Sequence, residues 1–116
     1  MFERQFSGRR PLRFLAHKLD LDEKQFAELA RIIETMKTER AQAGVDDRRT
    51  LADYAEAVEG ATFDVAKAGA GAARRTDSVT RVNTVLVKSL QQIHAMLSAE
   101  QRVRFATLVR TGFLVM

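Results

Sequence analysis

The same short pattern occurs twice in this chain, as Leu21-Asp22-Glu23-Lys24-Gln25 and as Leu97-Ser98-Ala99-Glu100-Gln101. Each copy has a leucine, then a residue whose side-chain oxygen can cap a helix, then a glutamine three places after the cap. This spacing is typical of a capping box, in which the two side chains satisfy unpaired amides at a helix start. Each copy follows one of the two histidines, His17 and His94. We therefore predict that a helix begins at each copy.

Length and composition favour one all-α domain. The 116 residues include one proline and no cysteine, with 46% hydrophobic and 29% charged residues. The lack of cysteine excludes disulfides, thiol catalysis and Cys-based zinc sites. No apolar run approaches the roughly 18 residues needed to span a bilayer, so we expect no membrane insertion. No signal peptide is visible behind the N-terminal arginines, and an exported form would have lost its leader or anchor.

Apolar spacing predicts the helices of the first half of the chain. A short helix is expected from Pro11 to about Lys18. A longer one is expected from Asp22 to Ala43, where Gly44 would stop it. Its apolar face consists of Phe26, Leu29, Ala30, Ile33 and Met36. A third helix is expected from Asp46 to Gly60, with a core-facing stripe of Leu51, Tyr54, Ala55 and Val58.

The second half is predicted to hold one long helix and one short one. The long helix runs from Thr62 to Leu97 and continues through Gly69 and Gly71, where small residues would let another helix approach closely. A break at these glycines is the alternative, since each costs about 1 kcal/mol inside a helix. Its apolar stripe is Val79, Val82, Leu86, Leu90, Ile93 and Leu97. The last helix starts at Ser98 and ends before Gly112.

The helix lengths predict an elongated antiparallel helical hairpin with short flanking helices. Residues 22–43 and 76–97 have equal lengths, so folding back places Leu97 beside Leu21 and both capping boxes at one end. A thin hairpin leaves apolar faces uncovered, and so we expect a homodimer. The predicted organisation is a flexible basic segment over residues 1–10, one helical domain over 11–112 and an apolar tail over 113–116.

Charge excludes some functions and leaves others open. The formal charge of +4 comes from scattered basic pairs interleaved with acidic residues. Solvated helix faces explain such a pattern, and a basic surface for acidic or unfolded proteins is the functional alternative. We expect no nucleic-acid binding, because no basic stripe with stacking aromatics is present. We expect no enzyme and no cofactor, because no nucleotide loop or nucleophile constellation is present.

The paired motifs resemble the two Leu-Thr-x-x-Gln motifs of the Spy/CpxP family of periplasmic stress proteins, with Asp22 and Ser98 in place of the threonine. The segments Thr62-Phe63-Asp64-x-x-Lys67 and Glu100-Gln101-Arg102-x-x-Phe105 are also similar to family sequence. The resemblance implies a periplasmic, hooked hairpin whose dimer forms a curved cradle. It implies an ATP-independent chaperone that holds unfolded envelope proteins. The alternatives are a sensor or resistance protein for zinc, nickel or cobalt, or a regulator that docks a sensor kinase.

The chaperone function predicts a surface that combines cations with apolar side chains. Charge attraction speeds the encounter with a client, and apolar contact prolongs it. The client-binding candidates are Arg48, Arg49, Phe63, Arg74 and Arg75. A core position for Phe63 is the alternative, since large apolar side chains are usually buried.

The metal function is implied by the resemblance at four positions. His17, Glu34 and His94 would supply imidazole and carboxylate ligands, and Met96 a softer thioether. The chain departs from the fuller sensor pattern at Arg13, a cation that stands where a second histidine would precede His17. The alternative is that both histidines simply complement the dipoles of helix C-termini.

Overall fold

The computed structural model describes residues 10–112 of the chain. The predicted segment 1–10, apart from Arg10, and the predicted tail 113–116 therefore lie outside the described residues. The described part contains four α-helices and no strand: α1 Arg10–Leu19, α2 Glu23–Glu59, α3 Val65–Met96 and α4 Ala99–Arg110. This confirms the all-α class. None of these four helices combines the length and apolar character that crossing a lipid bilayer requires.

The prediction that Gly44 ends a helix is wrong. α2 passes through Gly44 without interruption and ends at Glu59, directly before Gly60. An interior glycine costs only about 1 kcal/mol relative to alanine. Asp46 and Thr50, both buried, lie just beyond Gly44, and their contacts hold the helix past it.

The prediction that one helix continues through Gly69 and Gly71 is confirmed. α3 contains both glycines, although it starts at Val65 rather than at Thr62. Asp64 explains the later start, because its Oδ1 accepts the amide of Lys67 at 3.0 Å, as an N-cap does. The amide of Asp64 itself donates to the carbonyl of Ala57 at 3.0 Å and closes the turn between α2 and α3.

The chain divides into two compact units. The first, here called the capped unit, comprises the described residues of 1–37 and 87–116; the second, the hairpin unit, comprises 38–86. α2 and α3 each contribute to both units. The predicted single domain over residues 11–112 stays a prediction, as does the homodimer.

The capped unit has an aliphatic core. α1 and α4 contact each other, and both bury one side in this core. Its buried residues are Leu12, Leu15, Leu19, Leu29, Ile32, Ile93, Leu97 and Phe105. The predicted α2 face is thus confirmed at the buried Leu29, and Ala30, Ile33 and Met36 pack against the same core. The prediction omitted Ile32 and included Phe26, which is exposed.

The hairpin unit pairs α2 with α3 in antiparallel directions. Asp46 pairs with Arg81, the hydroxyl of Thr50 donates to the carbonyl of Gly71 at 3.3 Å, and Glu56 pairs with Lys67 at 3.4 Å. As the α2 residue number rises, the number of its α3 partner falls. This order confirms the predicted antiparallel hairpin.

The predicted apolar stripes of the hairpin unit do not form its core. Leu51 and Val58 are 64% and 66% exposed, and Val79 is 52% exposed. The buried positions are instead Asp46, Thr50, Ala57, Gly71 and Ser78. Polar side chains that pair with each other across two helices can be buried at little cost, which leaves the apolar side chains outside.

Gly71 marks a point of close approach between α2 and α3 in the hairpin unit. A Cβ atom at this position would lie 3.1 Å from the Cβ of Asp53 and 3.2 Å from the Tyr54 ring. α2 and α3 therefore approach so closely here that a larger side chain would not fit without a shift. Gly69, two residues earlier, has nothing within 4 Å of the same position.

Candidate functional site

The two capping motifs meet in the capped unit. The side-chain amide of Gln25 donates to the carbonyl of Met96 at 2.8 Å and to Oε1 of Gln101 at 2.9 Å. The side-chain amide of Gln101 donates to the carbonyl of Leu19 at 3.0 Å. The predicted proximity of the two motifs is therefore confirmed by direct hydrogen bonds between their glutamines.

Both motifs form complete capping boxes. Asp22 accepts the amide of Gln25 at 2.8 Å, and Oε1 of Gln25 accepts the amide of Asp22 at 3.1 Å. Ser98 and Gln101 make the same pair of bonds at 3.2 and 2.9 Å. Each glutamine thus uses its oxygen at the start of its own helix and its NH₂ group elsewhere.

The NH₂ group of each glutamine donates to the end of a helix other than its own. Gln25 binds the last residue of α3, and Gln101 binds the last residue of α1. Terminal carbonyls have no partner within their own helix, so each glutamine supplies a missing donor. The pair is a reciprocal clamp on four helix ends, and its neutral amides offer neither a nucleophile nor a base.

The two copies differ in the connection to the preceding helix: Asp20 lies between the end of α1 and Leu21, whereas Leu97 directly follows the last residue of α3. Asp20 has a left-handed backbone with φ of 53°. The amides of Asp20 and Leu21 donate to the carbonyls of His17 and Ala16 at 3.3 and 3.0 Å, which is a Schellman motif. Near the second copy, Arg102 Nε donates to the carbonyl of His94 at 3.1 Å instead.

The predicted metal ligands all lie in the capped unit. His17 and His94 are exposed in the last turns of α1 and α3. Glu34 is exposed and lies 3.9 Å from Lys37, and Met96 packs against the core. Within residues 10–112 no three His, Asp or Glu side chains converge as a metal site would require. His17, Glu34 and His94 therefore do not form a three-ligand set by themselves within the described residues, and the predicted zinc, nickel or cobalt site that includes Met96 stays a prediction.

The predicted client-binding residues all lie in the hairpin unit. Arg48, Arg49 and Arg75 are exposed, and Phe63 is 58% exposed, so the alternative of a core position for Phe63 is wrong. Arg74 differs from the other arginines, because it is half-buried and forms an ion pair with Asp53. Four of the five candidates are therefore available at the surface, whereas Arg74 holds the two helices together.

The contacts between α2 and α3 in the hairpin unit, here called the polar seam, centre on Asp46. Its carboxylate accepts Gln42 Nε2 at 3.2 Å and pairs with Arg81, which also lies 3.7 Å from Glu39. Burial raises the pKa of Asp46, but hydrogen bonds from Gln42 and Ser78 and the charge of Arg81 outweigh it and lower the pKa below 3.8. In residues 10–112 no buried side-chain polar atom lacks a partner.

The net charge of the chain does not come from the hairpin unit. Residues 38–86 contain seven Lys and Arg against eight Asp and Glu. The described residues of the capped unit contain ten against six. The hairpin unit therefore has no net positive charge, and its predicted attraction for clients would depend on the exposed arginines Arg48, Arg49 and Arg75.

Sequence reasoning missed the exposed apolar residues of the hairpin unit. Leu51, Val58 and Val65 are 64%, 66% and 72% exposed. The sequence did contain an indication of the buried face: Asp46, Thr50 and Asp53 are spaced by 3 or 4 residues and so lie on one side of α2. In the structure these residues contact Arg81, Gly71 and Arg74 of α3. The apolar stripe of Leu51 and Val58 lies off this face.

Comparisons with known proteins give one result on family and none on closer relatives. Neither the curated proteins nor the solved structures include a match to this chain. The sequence model described as "LTXXQ motif family protein" matches residues 7–109, which include both glutamine motifs. The chain therefore belongs to the LTXXQ motif family.

Proposed function

We propose that this chain is an ATP-independent chaperone of the periplasm, of the Spy/CpxP type, that holds unfolded envelope proteins on its hairpin unit. The main support is the exposure of Leu51, Val58, Phe63 and Val65, which ranges from 58% to 72%. We call these four residues the apolar strip. Exposed apolar side chains that form a contiguous patch commonly mark surfaces for other proteins. The family and the resemblance to periplasmic stress proteins support the compartment.

The polar seam makes the apolar strip available. Because Asp46, Thr50 and Ser78 fill the contact between α2 and α3, the larger side chains are not needed there. An unfolded client exposes apolar segments of many sequences, so shallow contact with single exposed side chains is sufficient and unspecific. We expect this binding to be weak and reversible, because each contact would be made by a separate exposed side chain.

Three exposed arginines of the hairpin unit would add charge attraction. Arg48, Arg49 and Arg75 are exposed, and none is in an ion pair among the described residues. The formal charge of the hairpin unit is close to neutral, so this attraction is local rather than a long-range field. Exposed charges farther apart than about 10 Å are largely screened at 0.1 M salt. Apolar contact should therefore contribute more to client binding than charge does.

The experiment measures how far the chain suppresses aggregation of a thermally unfolding model protein without ATP. We expect suppression at a dose close to one chain per client. The variant L51S/V58S/F63S should lose most of it, since all three side chains would contact the client. Suppression should weaken moderately as salt rises to about 0.5 M, where the screening length is only a few ångström.

The matched control is F14S/V87S/V103S, which removes three apolar side chains that are 41%, 65% and 69% exposed in the capped unit. This variant should suppress aggregation as well as the original chain. The proposal is wrong if the original chain does not suppress aggregation at low salt. It is also wrong if both triple variants lose suppression equally, because any exposed apolar residue would then serve.

A further inference from the structure

The charge of the capped unit is concentrated on its two short helices. α1 and α4 together contain six Lys and Arg but one acidic residue, Glu100, which is paired with Arg104 at 2.8 Å. Arg13, Lys18 and Arg110 are exposed and form no ion pair among the described residues. A patch with cations in such excess requires a negatively charged partner or remains surrounded by counterions.

The same two helices expose apolar side chains among these cations. Phe14 is 41% exposed and Val103 is 69% exposed. The ammonium of Lys18 lies 5.7 Å from the centre of the Phe14 ring. Cations are attracted to anionic headgroups, and exposed apolar side chains beside them can enter the boundary between headgroups and acyl chains.

We propose that the outer side of α1 and α4 docks this chain on an anionic phospholipid surface. We call Arg13, Phe14, Lys18, Val103 and Arg110 the basic face. Its cations would lie against headgroup phosphates, and Phe14 and Val103 would enter the boundary between headgroups and acyl chains. A lipid interface offers anionic headgroups to the cations and an apolar boundary to Phe14 and Val103 along one continuous surface, and for this reason we favour lipid.

The inference is independent of the chaperone function, because no residue of the basic face belongs to the hairpin unit. It gives the two units separate surfaces, one for a membrane and one for clients. Binding of this kind is peripheral. It requires no helix that spans the bilayer.

The test is co-sedimentation of the full chain with vesicles of phosphatidylglycerol and phosphatidylcholine, compared with vesicles of phosphatidylcholine alone. We expect binding only to the vesicles that contain phosphatidylglycerol, and a steady loss of binding as salt rises. Each cation near an anionic surface contributes about a fivefold gain in affinity, so R13Q/K18Q/R110Q should bind about 100-fold more weakly.

The matched control is R48Q/R49Q/R75Q, which removes the same charge from exposed arginines of the hairpin unit. It should bind within about twofold of the original chain, while F14S/V103S should bind several-fold more weakly. Circular dichroism would check that every variant stays helical. The chaperone assay contains no lipid, so failure of one proposal leaves the other intact.

Four outcomes would overturn the docking proposal. One is an original chain that does not bind phosphatidylglycerol. A second is equal loss by both arginine variants, which would mean that only net charge matters. A third is equal binding to phosphatidylcholine alone. In the fourth, a polyglutamate peptide binds the original chain through the same residues and displaces it from vesicles, so that the basic face serves an acidic protein.

Discussion

The capped unit and the hairpin unit both bury one side of α2 and α3, but they do so with different side chains. The capped unit buries Leu29 and Ile32 of α2 together with Ile93 of α3. The hairpin unit buries Asp46 and Thr50 at 4% and 1% exposure and leaves Leu51 at 64%. The same two helices therefore change from an apolar to a polar contact along their length.

The difference predicts that the two units contribute unequally to stability. Apolar burial contributes about 25 cal/mol per Å² and is concentrated in the capped unit. Partly exposed ion pairs such as Lys67–Glu56 contribute about 0 to 1 kcal/mol each, so the polar seam adds less. A less stable hairpin with its apolar residues outside is suited to binding, and a firmly packed capped unit is suited to holding the fold.

The largest test of this comparison replaces two leucines of the same helix. Leu29→Ala should lower the free energy of unfolding by about 2 to 5 kcal/mol, because Leu29 is fully buried. Leu51→Ala should change it by less than about 0.5 kcal/mol. Urea unfolding followed by circular dichroism measures both. Equal losses of unfolding free energy from the two substitutions would contradict the conclusion that apolar burial is concentrated in the capped unit.

The next test concerns the glutamine clamp. Gln101→Ala should lower the free energy of unfolding by about 1 to 3 kcal/mol, since it removes a cap bond and leaves carbonyls without a donor. The control Gln92→Ala removes an exposed glutamine and should have almost no effect.

A double-mutant cycle between Gln25 and Gln101 sharpens this prediction. Their side chains bond to each other at 2.9 Å, and we expect a coupling free energy of about 0.5 to 3 kcal/mol. Strictly additive effects of Gln25→Ala and Gln101→Ala would mean that the two motifs act as separate helix caps and not as a clamp.

A smaller effect should distinguish two glycines of α3. Gly69→Ala should raise the free energy of unfolding by up to about 1 kcal/mol, because alanine favours the helix and the site is open. Gly71→Ala should be at least about 1 kcal/mol worse than Gly69→Ala, because its methyl group would press on Asp53 and Tyr54. Thermal unfolding of the two variants measures this difference. An equal gain from both would show that α2 and α3 are not held in close contact.

The smallest expected effect is on acid stability. The pKa of Asp46 is lower in the folded chain than its ordinary 3.8, so its stabilising contribution is present above 3.8 and is lost as pH falls through the lowered value. The hydrogen-exchange protection factors of amides in residues 38–59, which correct for the pH dependence of intrinsic exchange, should therefore fall in acid. In Asp46→Asn the protection of these amides at neutral pH should be lower than in the original chain, and it should fall less as the pH is lowered. The control Asp77→Asn, at an exposed position, should respond to acid as the original chain does.

Sequence alone predicted the parts of the fold that rest on local chemistry. The caps Asp22 and Ser98 and the stop at Gly60 depend on neighbouring residues and were predicted correctly. Gly44 was not, because contacts of Asp46 and Thr50 across the seam outweigh a modest helix penalty. Large apolar side chains are usually buried, and this general rule predicted a core position for Phe63 that the structure does not show. Nothing in the sequence identified Asp53 as the partner of Arg74.

The sequence by itself determined that the chain is helical and that its two glutamine motifs are helix starts, because cap and glutamine lie within one turn. Only the tertiary structure decided which faces are buried. Spacing of 3 and 4 residues marks the apolar stripe through Leu51 and the polar stripe through Asp46 equally well. The choice between them depends on partners far along the chain, Gly71 and Arg81, which allow a close polar contact and leave the apolar stripe in water.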